Sequence, residues 1–189
     1  VMRRTPGKAA EWTERVPGGQ CVGYDNLKAF LQHPDGLDAV YISTRPGTHL
    51  ELCEKVAAAG IRNVYVEKPC GRCAAETEAM AKAVDNLYTA YMSRGYPRTQ
   101  CVRDLLQEGA VGDRVTNVCH TLIGSGGARG MEGDGLPWRL DAPQSGGGLI
   151  MDVGCHVLDR IDYLMGPLEN TSGKALRKEG MPGLVENYV

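Results

Sequence analysis

A carboxylate and an imidazole spaced by one helical turn carry the clearest chemical signal in this chain. Asp152 and His156 lie at positions i and i+4, so a helix would present both side chains on one face. An imidazole titrates near neutral pH, so it can accept the hydroxyl proton of an alcohol while a hydride leaves the carbon that bears this hydroxyl. The carboxylate can hold substrate hydroxyls or orient the imidazole ring. Two alternatives stay open: a helix-start carboxylate beside a half-buried histidine, and a zinc-binding pair.

A lysine at the end of a predicted strand is the second candidate for chemistry. Lys68 follows the apolar strand 64–66, and ligands bind at the carboxyl edge of parallel sheets. Glu67 stands directly before this lysine, and Pro69 fixes the backbone after it. A cation at this edge can orient and polarise a hydroxyl group and exchange a proton with it. The alternative is a solvated lysine at a strand end.

A Cys-x-x-Cys pair follows the lysine. Cys70 and Cys73 have the spacing of redox-exchange and zinc sites, and Cys155 with His156 could complete a set of four ligands. The sequence has no second pair at this spacing and no thioredoxin-like pattern around this one. Chance cysteines in a loop between strand and helix are therefore the favoured interpretation.

Strands and helices alternate over the first half of the chain and would have to bring these residues together. Apolar runs bounded by turn residues predict buried parallel strands, and apolar residues at helical spacing predict helices between them. The first residues look like the end of a strand, and further strands are predicted at 21–22, 39–42, 64–66 and 87–92. The predicted helices cover 5–15 with Thr5 as N-cap, a short stretch capped by Asp25, 49–59 and 74–84. This order is typical of an α/β protein with a doubly wound parallel sheet.

The alternation changes near residue 94. An amphipathic helix over 97–108 is predicted to turn Val102, Leu105 and Leu106 inward. Two strand-like segments and a long helix follow it, at 115–123, 173–177 and 148–165. The change of pattern predicts a domain boundary at this point.

The expected sheet lacks its usual first unit. A dinucleotide-binding sheet begins with a strand, a G-x-G-x-x-G turn and a helix, whose backbone amides hold the pyrophosphate. No such turn follows a predicted strand, because the glycines of 124–130 have the wrong spacing and no helix after them. We therefore expect about 30 residues, one βα unit, upstream of this chain. The two expected domains, 1–93 and 94–189, are both partial.

Composition argues against several classes of partner. The 189 residues are 42% hydrophobic and 23% charged, which is typical of globular proteins. The formal charge of -2 gives no electrostatic reason to bind nucleic acid or an anionic membrane, and no apolar run is long enough to cross a bilayer. The N-terminus lacks the pattern of a signal peptide. Seven cysteines, an odd count, favour reduced thiols in the cytoplasm.

Five motifs stand in a recognisable order. They are V-Y-I-S-T-R-P at 40–46 followed by His49, E-K-P at 67–69, L-L with G-A-V-G-D within 105–113, W-R at 138–139, and G-G-G leading to D-V-G-C-H-V-L-D within 146–159. Together they resemble the glucose–fructose oxidoreductase and inositol dehydrogenase family (Gfo/Idh/MocA) over nearly the whole chain. The resemblance implies an incomplete NAD(P)-binding domain of the Rossmann type at 1–93. It implies that 94–189 is part of an α/β domain for substrate binding and oligomerisation, with an open, mostly antiparallel sheet.

The resemblance also implies an activity. Members transfer a hydride between NAD(P) and a secondary alcohol or ketone of a small sugar-like, polyol-like or related molecule. Lys68, joined to Pro69 by a cis peptide bond, would touch both the nicotinamide and the substrate hydroxyl. Asp152 and His156 would match the family's catalytic pair. No metal is expected, and the parent enzyme is expected to form a homo-oligomer. The alternative is a catalytically inactive or non-enzymatic binding remnant of such an enzyme.

The remaining candidate residues follow from the same comparison. Cofactor contacts are expected from residues that follow predicted strands: Arg3, Arg4, Thr44, Arg45, Pro46, His49, Glu67 and Lys68. Arginines after the first strand suit a 2′-phosphate and favour NADP over NAD, although two exposed terminal arginines are the alternative. Substrate contacts are expected from Arg94, Trp138, Arg139 and Asp152, with a core position as the alternative for Trp138.

Overall fold

The fold is built around a three-stranded parallel sheet. The computed structural model describes residues 1–16, 18, 21–121, 137–148, 150–177 and 179. The strands run in the order β1–β2–β3, with β1 at Val40–Ile42, β2 at Asn63–Val66 and β3 at Asn86–Thr89. The parallel strands predicted at 39–42 and 64–66 are confirmed, and the one predicted at 87–92 ends earlier, at Thr89.

Helices connect the strands and continue the chain beyond them. The α-helices are α1 Lys8–Thr13, α2 Leu27–Leu31, α3 His49–Ala58, α4 Ala74–Ala83, α5 Pro97–Gln107, α6 Ala142–Ser145 and α7 Cys155–Met165. Short 3-10 turns cover Pro46–Thr48, Met92–Gly95 and Trp138–Leu140, and a π-helical turn covers Ile150–Gly154. Within the described part of the chain, none of the helices has the length and apolar character needed to span a membrane.

The core lies between one face of the sheet and the helices α3 and α4. Alternate strand residues point into it, and Val64 and Val66 of β2 are essentially inaccessible. Val56 of α3 and Met80 of α4 pack into the same cluster and are equally buried. Gly60 ends α3 as predicted, with a φ of 85° in the left-handed region that glycine adopts without strain.

The opposite face of the sheet carries tyrosines. Tyr41, Tyr65 and Tyr88 occupy the register positions between the buried residues and are 42–58% exposed. The period-2 alternation of side chains along each strand accounts for this split between a buried and an open face.

The first two helices begin later than predicted. Thr5 is not the N-cap of α1, because Gly7 holds that position with a φ of 77°. Asp25 does not cap α2; the Asn26 side chain does, accepting a hydrogen bond from the Ala29 amide at 2.8 Å. An amide oxygen caps as well as a carboxylate, so residue type alone could not separate the two neighbours.

In place of the strands predicted at the first residues and at 21–22, the structure has one parallel bridge between Met2 and Tyr24. Residues 115–121 and 173–177 form no strand in the described structure, and 122–123 lie outside it. The predicted antiparallel sheet therefore has no counterpart among the described residues. The glycines of 124–130 lie outside them as well.

Helix α5 has the predicted length but not the predicted burial. Val102 and Leu105 are 45% and 43% exposed, and Leu106 is half-buried, while Thr99 is the buried residue. An apolar stripe identifies the face that a helix can bury, but a second layer must exist to cover it. The long helix predicted over 148–165 is present as α7, preceded by the π-helical turn.

Candidate functional site

A cleft of about 210 Å³ lies at the carboxyl edge of the sheet. One wall follows the ends of β1 and β2, and the other belongs to the segment 138–152. The lining residues are Thr44, Pro46, Glu67, Lys68, Pro69, Trp138, Arg139, Ser145, Gly147, Met151 and Asp152. Sequence analysis placed seven of these eleven residues in the site, apart from Pro69, Ser145, Gly147 and Met151. The structure thus brings together two sets of candidates that are about 90 residues apart in sequence.

The two charged groups at the centre of the cleft contact each other. Lys68 Nζ lies 3.0 Å from Asp152 Oδ1 and donates to the Asp152 carbonyl oxygen at 2.6 Å. The lysine side chain is 19% exposed and the carboxylate 41%, so the pair is open to a ligand from one side. The peptide bond between Lys68 and Pro69 is cis, as the resemblance implied.

Glu67 is fixed beside the lysine. Its carboxylate accepts a hydrogen bond from the Tyr41 hydroxyl and another from the Lys68 backbone amide, the latter at 3.1 Å. Burial, followed by the hydrogen bond to Glu67, raises the pKa of Tyr41, so this phenol stays protonated and keeps donating. Tyr41 belongs to the open face of the sheet, and sequence analysis did not select it.

A carboxylate, a guanidinium and an indole form the far wall. Arg139 Nε lies 3.5 Å from Asp152 Oδ2, and its guanidinium carbon lies 4.4 Å from the centroid of Trp138. Arg45 approaches the same indole, at 5.9 Å. Cation–π contacts of this kind hold the flat guanidinium groups against the ring. Trp138 is therefore part of the cleft and not of the core.

His156 lies one turn beyond Asp152, at the start of α7, and does not itself line the cleft. Its ring meets the Tyr91 ring edge-on, with centroids 6.0 Å apart. Burial lowers the pKa of His156, and the positive charge of Lys68 lowers it further. The imidazole is therefore neutral at pH 7 and able to accept a proton.

His49 is correctly placed near the cleft but does not face it. Its side chain is fully buried, with Nδ1 2.9 Å from the Cys70 carbonyl oxygen and Nε2 3.1 Å from the Thr44 carbonyl oxygen. The His49 side chain is not among the residues that line the cleft, and its predicted cofactor contact stays a prediction. His49 instead joins the loops after β1 and β2, whose residues Thr44 and Pro46 line the cleft.

Arg94 is not among the residues that line the cleft, and its predicted contact with substrate stays a prediction. Its guanidinium lies 2.7 Å from Asp159 and 3.0 Å from Asp162, both on α7, and packs over Tyr163. The hydrogen bond with Asp159 raises the pKa of Arg94. The residue joins the turn after β3 to the helix that carries His156.

Arg3 and Arg4 lie away from the cleft lining. The Arg3 guanidinium packs over Trp12 of α1 at 5.4 Å, and both arginine side chains are exposed. Of the Cys-x-x-Cys pair, Cys70 is buried and Cys73 is exposed, and all seven cysteines are free thiols. The described residues offer no group of three or more metal-ligating side chains.

Two family models match this chain in succession. Residues 3–93 match the oxidoreductase family with an NAD-binding Rossmann fold, and residues 99–188 match the C-terminal domain of the same family. The chain belongs to the Gfo/Idh/MocA family. Together the two matches take in nearly every residue, which confirms the resemblance seen in the five motifs.

Individual relatives support the same conclusion. Oxidoreductase P35 of Formosa agariphila is 29% identical over 90% of this chain and 53% of its own length. Levoglucosan dehydrogenase of Pseudarthrobacter phenanthrenivorans is 29% identical over 88% of this chain and 42% of its own length. A levoglucosan dehydrogenase structure in complex with NADH and levoglucosan superposes with a TM-score of 0.68 at 25% identity, covering 88% of this chain and 44% of that one. The chain spans about half the length of the curated relatives it matches.

The residues of this cleft fit the nicotinamide end of a cofactor such as NADH, which the levoglucosan dehydrogenase structure contains. The cleft lies where ligands bind to an open parallel sheet, beyond the carboxyl ends of the strands. It offers the buried ring of Pro46 on one side, and Thr44, Glu67 and Lys68 line it with hydroxyl, carboxylate and ammonium groups. The glycine-rich turn that binds the pyrophosphate in such sheets is not among the residues that line this cleft.

Several residues that complete the site are not among the candidates predicted from the sequence. Tyr91 packs on His156, Ser145 and Met151 line the cleft, and Arg72 reaches across to the far wall. Arg72 and Met151 lie within motifs named above, but those motifs assign no role to their side chains, and Tyr91 and Ser145 belong to none of them. The contact of Tyr91 joins it to a residue 65 positions away (156 − 91), and that of Arg72 to one 71 positions away, so only the folded chain could reveal them.

Proposed function

We propose that the whole protein transfers a hydride between NAD(P) and a secondary alcohol or ketone of a sugar-like, polyol-like or related small molecule. The observation that supports this proposal best is the contact of Lys68 with Asp152 across the cleft, with His156 one turn away. The similar levoglucosan dehydrogenase, whose structure was solved with NADH and levoglucosan, supports this choice of substrate class.

The chemistry divides between the cofactor and the residues of the cleft. When bound, the nicotinamide accepts or returns the hydride of the substrate carbon. In the direction of oxidation, Lys68 and Asp152 hold the substrate hydroxyl, and the neutral His156 takes up its proton as the carbonyl forms. In reduction the protonated His156 returns that proton to the oxygen. Arg139 and Trp138 form the wall against which the rest of the substrate would lie.

NADP is the cofactor we favour for this protein. Arg3 and Arg4 follow the short N-terminal segment that pairs with Tyr24, and no acidic residue stands among the first ten. A guanidinium in that position accommodates a 2′-phosphate, whereas an acid would hold the free 2′-hydroxyl of NAD. The relative solved with NADH makes NAD the alternative.

The domain division, assembly and location follow as part of the proposal. A cofactor domain at 1–93 and a substrate domain at 94–189 agree with the change of pattern near residue 94. A homo-oligomeric parent and a cytoplasmic location rest on the family resemblance and on the number of cysteines, as in the sequence analysis.

A substrate panel with one pair of matched variants tests this function. Sugars, anhydrosugars and polyols are offered with NADP or NAD, and nicotinamide absorbance reports turnover. His156→Asn should lower kcat by about 10²–10⁴ and leave cofactor affinity unchanged, because it removes the proton acceptor alone. His120→Asn, an exposed histidine outside the cleft, is the control. Absence of both cofactor binding and turnover would favour the inactive remnant and overturn the proposal.

A further inference from the structure

The two walls of the cleft are joined by a set of contacts that the proposed chemistry does not use. Arg72 lies on the Rossmann side, just before α4, and its Nη1 donates to the Pro143 carbonyl oxygen at 2.6 Å. Pro143 belongs to α6, directly after Trp138 and Arg139 of the far wall. The backbone on both sides is thus connected through one guanidinium.

Glu76 holds that guanidinium in place. Its carboxylate accepts from Arg72 Nε at 2.9 Å, from Arg72 Nη2, and from the Arg72 backbone amide at 2.7 Å. The hydrogen bond from Arg72 lowers the pKa of Glu76, so the carboxylate is ionised at neutral pH. A fork-shaped guanidinium can serve both partners at once, because it has five N–H donors in a fixed plane.

Two glycines allow the walls to approach this closely. A Cβ on Gly47 would lie 2.8 Å from the Pro143 carbonyl oxygen, and a Cβ on Gly146 would lie 2.8 Å from the Arg72 Cβ. Gly146 also has a φ of 83°, in the left-handed region that other residues rarely adopt. Neither position has room for a side chain, so backbone and Arg72 pack directly.

The far side of the contact is a turn held by its own hydrogen bonds. Ser145 is buried, and its hydroxyl lies 3.0 Å from the Asp141 carbonyl oxygen and 2.7 Å from the Gly147 carbonyl oxygen. These hydrogen bonds hold the turn together, so a displacement of Pro143 would also displace Ser145 and Gly147, which line the cleft.

We infer that Arg72 is a positioning residue: with Glu76, Gly47 and Gly146 it forms a clasp that sets the distance of the Trp138–Arg139 wall from Lys68. This inference rests on the proposed function, since it assigns a role in placing the substrate. Displacements of about 1 Å in a reacting complex can cost about 10²-fold in rate. A link that fixes the width of the cleft is therefore as important as a direct contact.

Kinetics provide the first test. Arg72→Ala should raise the substrate KM about tenfold, the effect expected for a lost hydrogen bond with a charged donor. The cofactor Kd should change by less than about twofold, because the cofactor contacts lie on the Rossmann wall, which keeps its own hydrogen bonds. Arg72→Lys should give an intermediate KM, since an ammonium keeps the charge but cannot hold Glu76 and Pro143 in the same geometry.

Tryptophan fluorescence provides a second readout that needs no turnover. In a Trp12→Phe background, Trp138 is the only tryptophan of the chain, and acrylamide quenching reports its exposure. Arg72→Ala and Gly146→Ala should both increase quenching, the first by releasing the wall and the second by forcing it away. Lys55→Ala is the matched control, because it breaks an i,i+4 ion pair with Glu51 that is exposed and far from the wall.

The outcomes separate the clasp from the proposed function. Unchanged KM and unchanged quenching in Arg72→Ala would overturn the clasp, whatever the activity of the wild type. Increased quenching in a protein without any turnover would support the clasp and count against the oxidoreductase function. If Arg72→Ala strongly lowers the thermal unfolding midpoint, the Arg72→Lys variant is used as the test instead. An unchanged KM and unchanged quenching in Arg72→Lys would then also reject the positioning role.

Discussion

Replacing Lys68 by methionine tests the centre of the proposed site. The side chain keeps its approximate length but loses the charge and the proton. Two interactions disappear, the 3.0 Å contact with Asp152 Oδ1 and the 2.6 Å hydrogen bond to the Asp152 carbonyl oxygen. The carboxylate left behind is 41% exposed, so water can replace much of what the lysine supplied.

The effects on stability and on catalysis should therefore differ widely. A partly exposed pair of this kind contributes about 1–2 kcal/mol to the free energy of unfolding. For a chain of this size that lowers Tm by about 2–8 °C. Loss of the group that polarises and exchanges a proton with the hydroxyl should lower kcat/KM by about 10²–10⁴. That is about 3–5 kcal/mol of transition-state stabilisation.

The assay follows nicotinamide absorbance with the best substrate of the panel, alongside thermal unfolding. Lys55→Met serves as the control, since it removes a lysine from an exposed ion pair and should leave kcat/KM unchanged. A folded Lys68→Met protein that retains kcat/KM within about tenfold of the wild type would refute the catalytic role. The contact with Asp152 would then be structural only.

Three further predictions follow from the structure. The acid limb of the kcat/KM profile for oxidation should lie below pH 6.5, because burial lowers the pKa of His156, and a wild-type limb above 6.5 would contradict this role. Asp152→Asn should move the limb to still lower pH, because it removes a negative charge that raises the pKa of His156. Exchanging Arg3 and Arg4 for alanine should weaken NADPH binding about tenfold in calorimetry and spare NADH, whereas equal losses for both would argue against the 2′-phosphate contact. Met80→Ala should lower the free energy of unfolding by about 2–5 kcal/mol in denaturant titrations, because this side chain is fully buried, and a loss below 1 kcal/mol would exclude a tightly packed core there.

The sequence alone determined the parallel strands and the residues that follow them. The apolar runs at 39–42 and 64–66 are short and bounded by turn residues, which is typical of buried parallel strands, and the carboxyl ends of parallel strands lie at one edge of the sheet. The position of Lys68 follows from this. The spacing of Asp152 and His156 likewise required a helical segment to bring them together, and the structure contains one, a π-helical turn leading into α7.

Other parts of the sequence permitted more than one structure. Thr5 and Gly7 can both begin a helix, as can Asp25 and Asn26, and the choice depends on the path of the preceding chain. The apolar stripe of α5 shows which face could be buried, yet burial needs a covering layer that the stripe itself does not specify.

Only the tertiary structure decided which candidates meet. Arg94 pairs with Asp159 and Asp162 more than 60 positions away, and Arg72 with the Pro143 carbonyl 71 positions away. His49 has the sequence position of a cleft residue, but it is fully buried and its nitrogens are used by two carbonyl oxygens. Local patterns fix the periodicity of helices and strands, because that depends on neighbours along the chain. Contacts between distant charges depend on how the layers pack, and no stretch of sequence contains that information by itself.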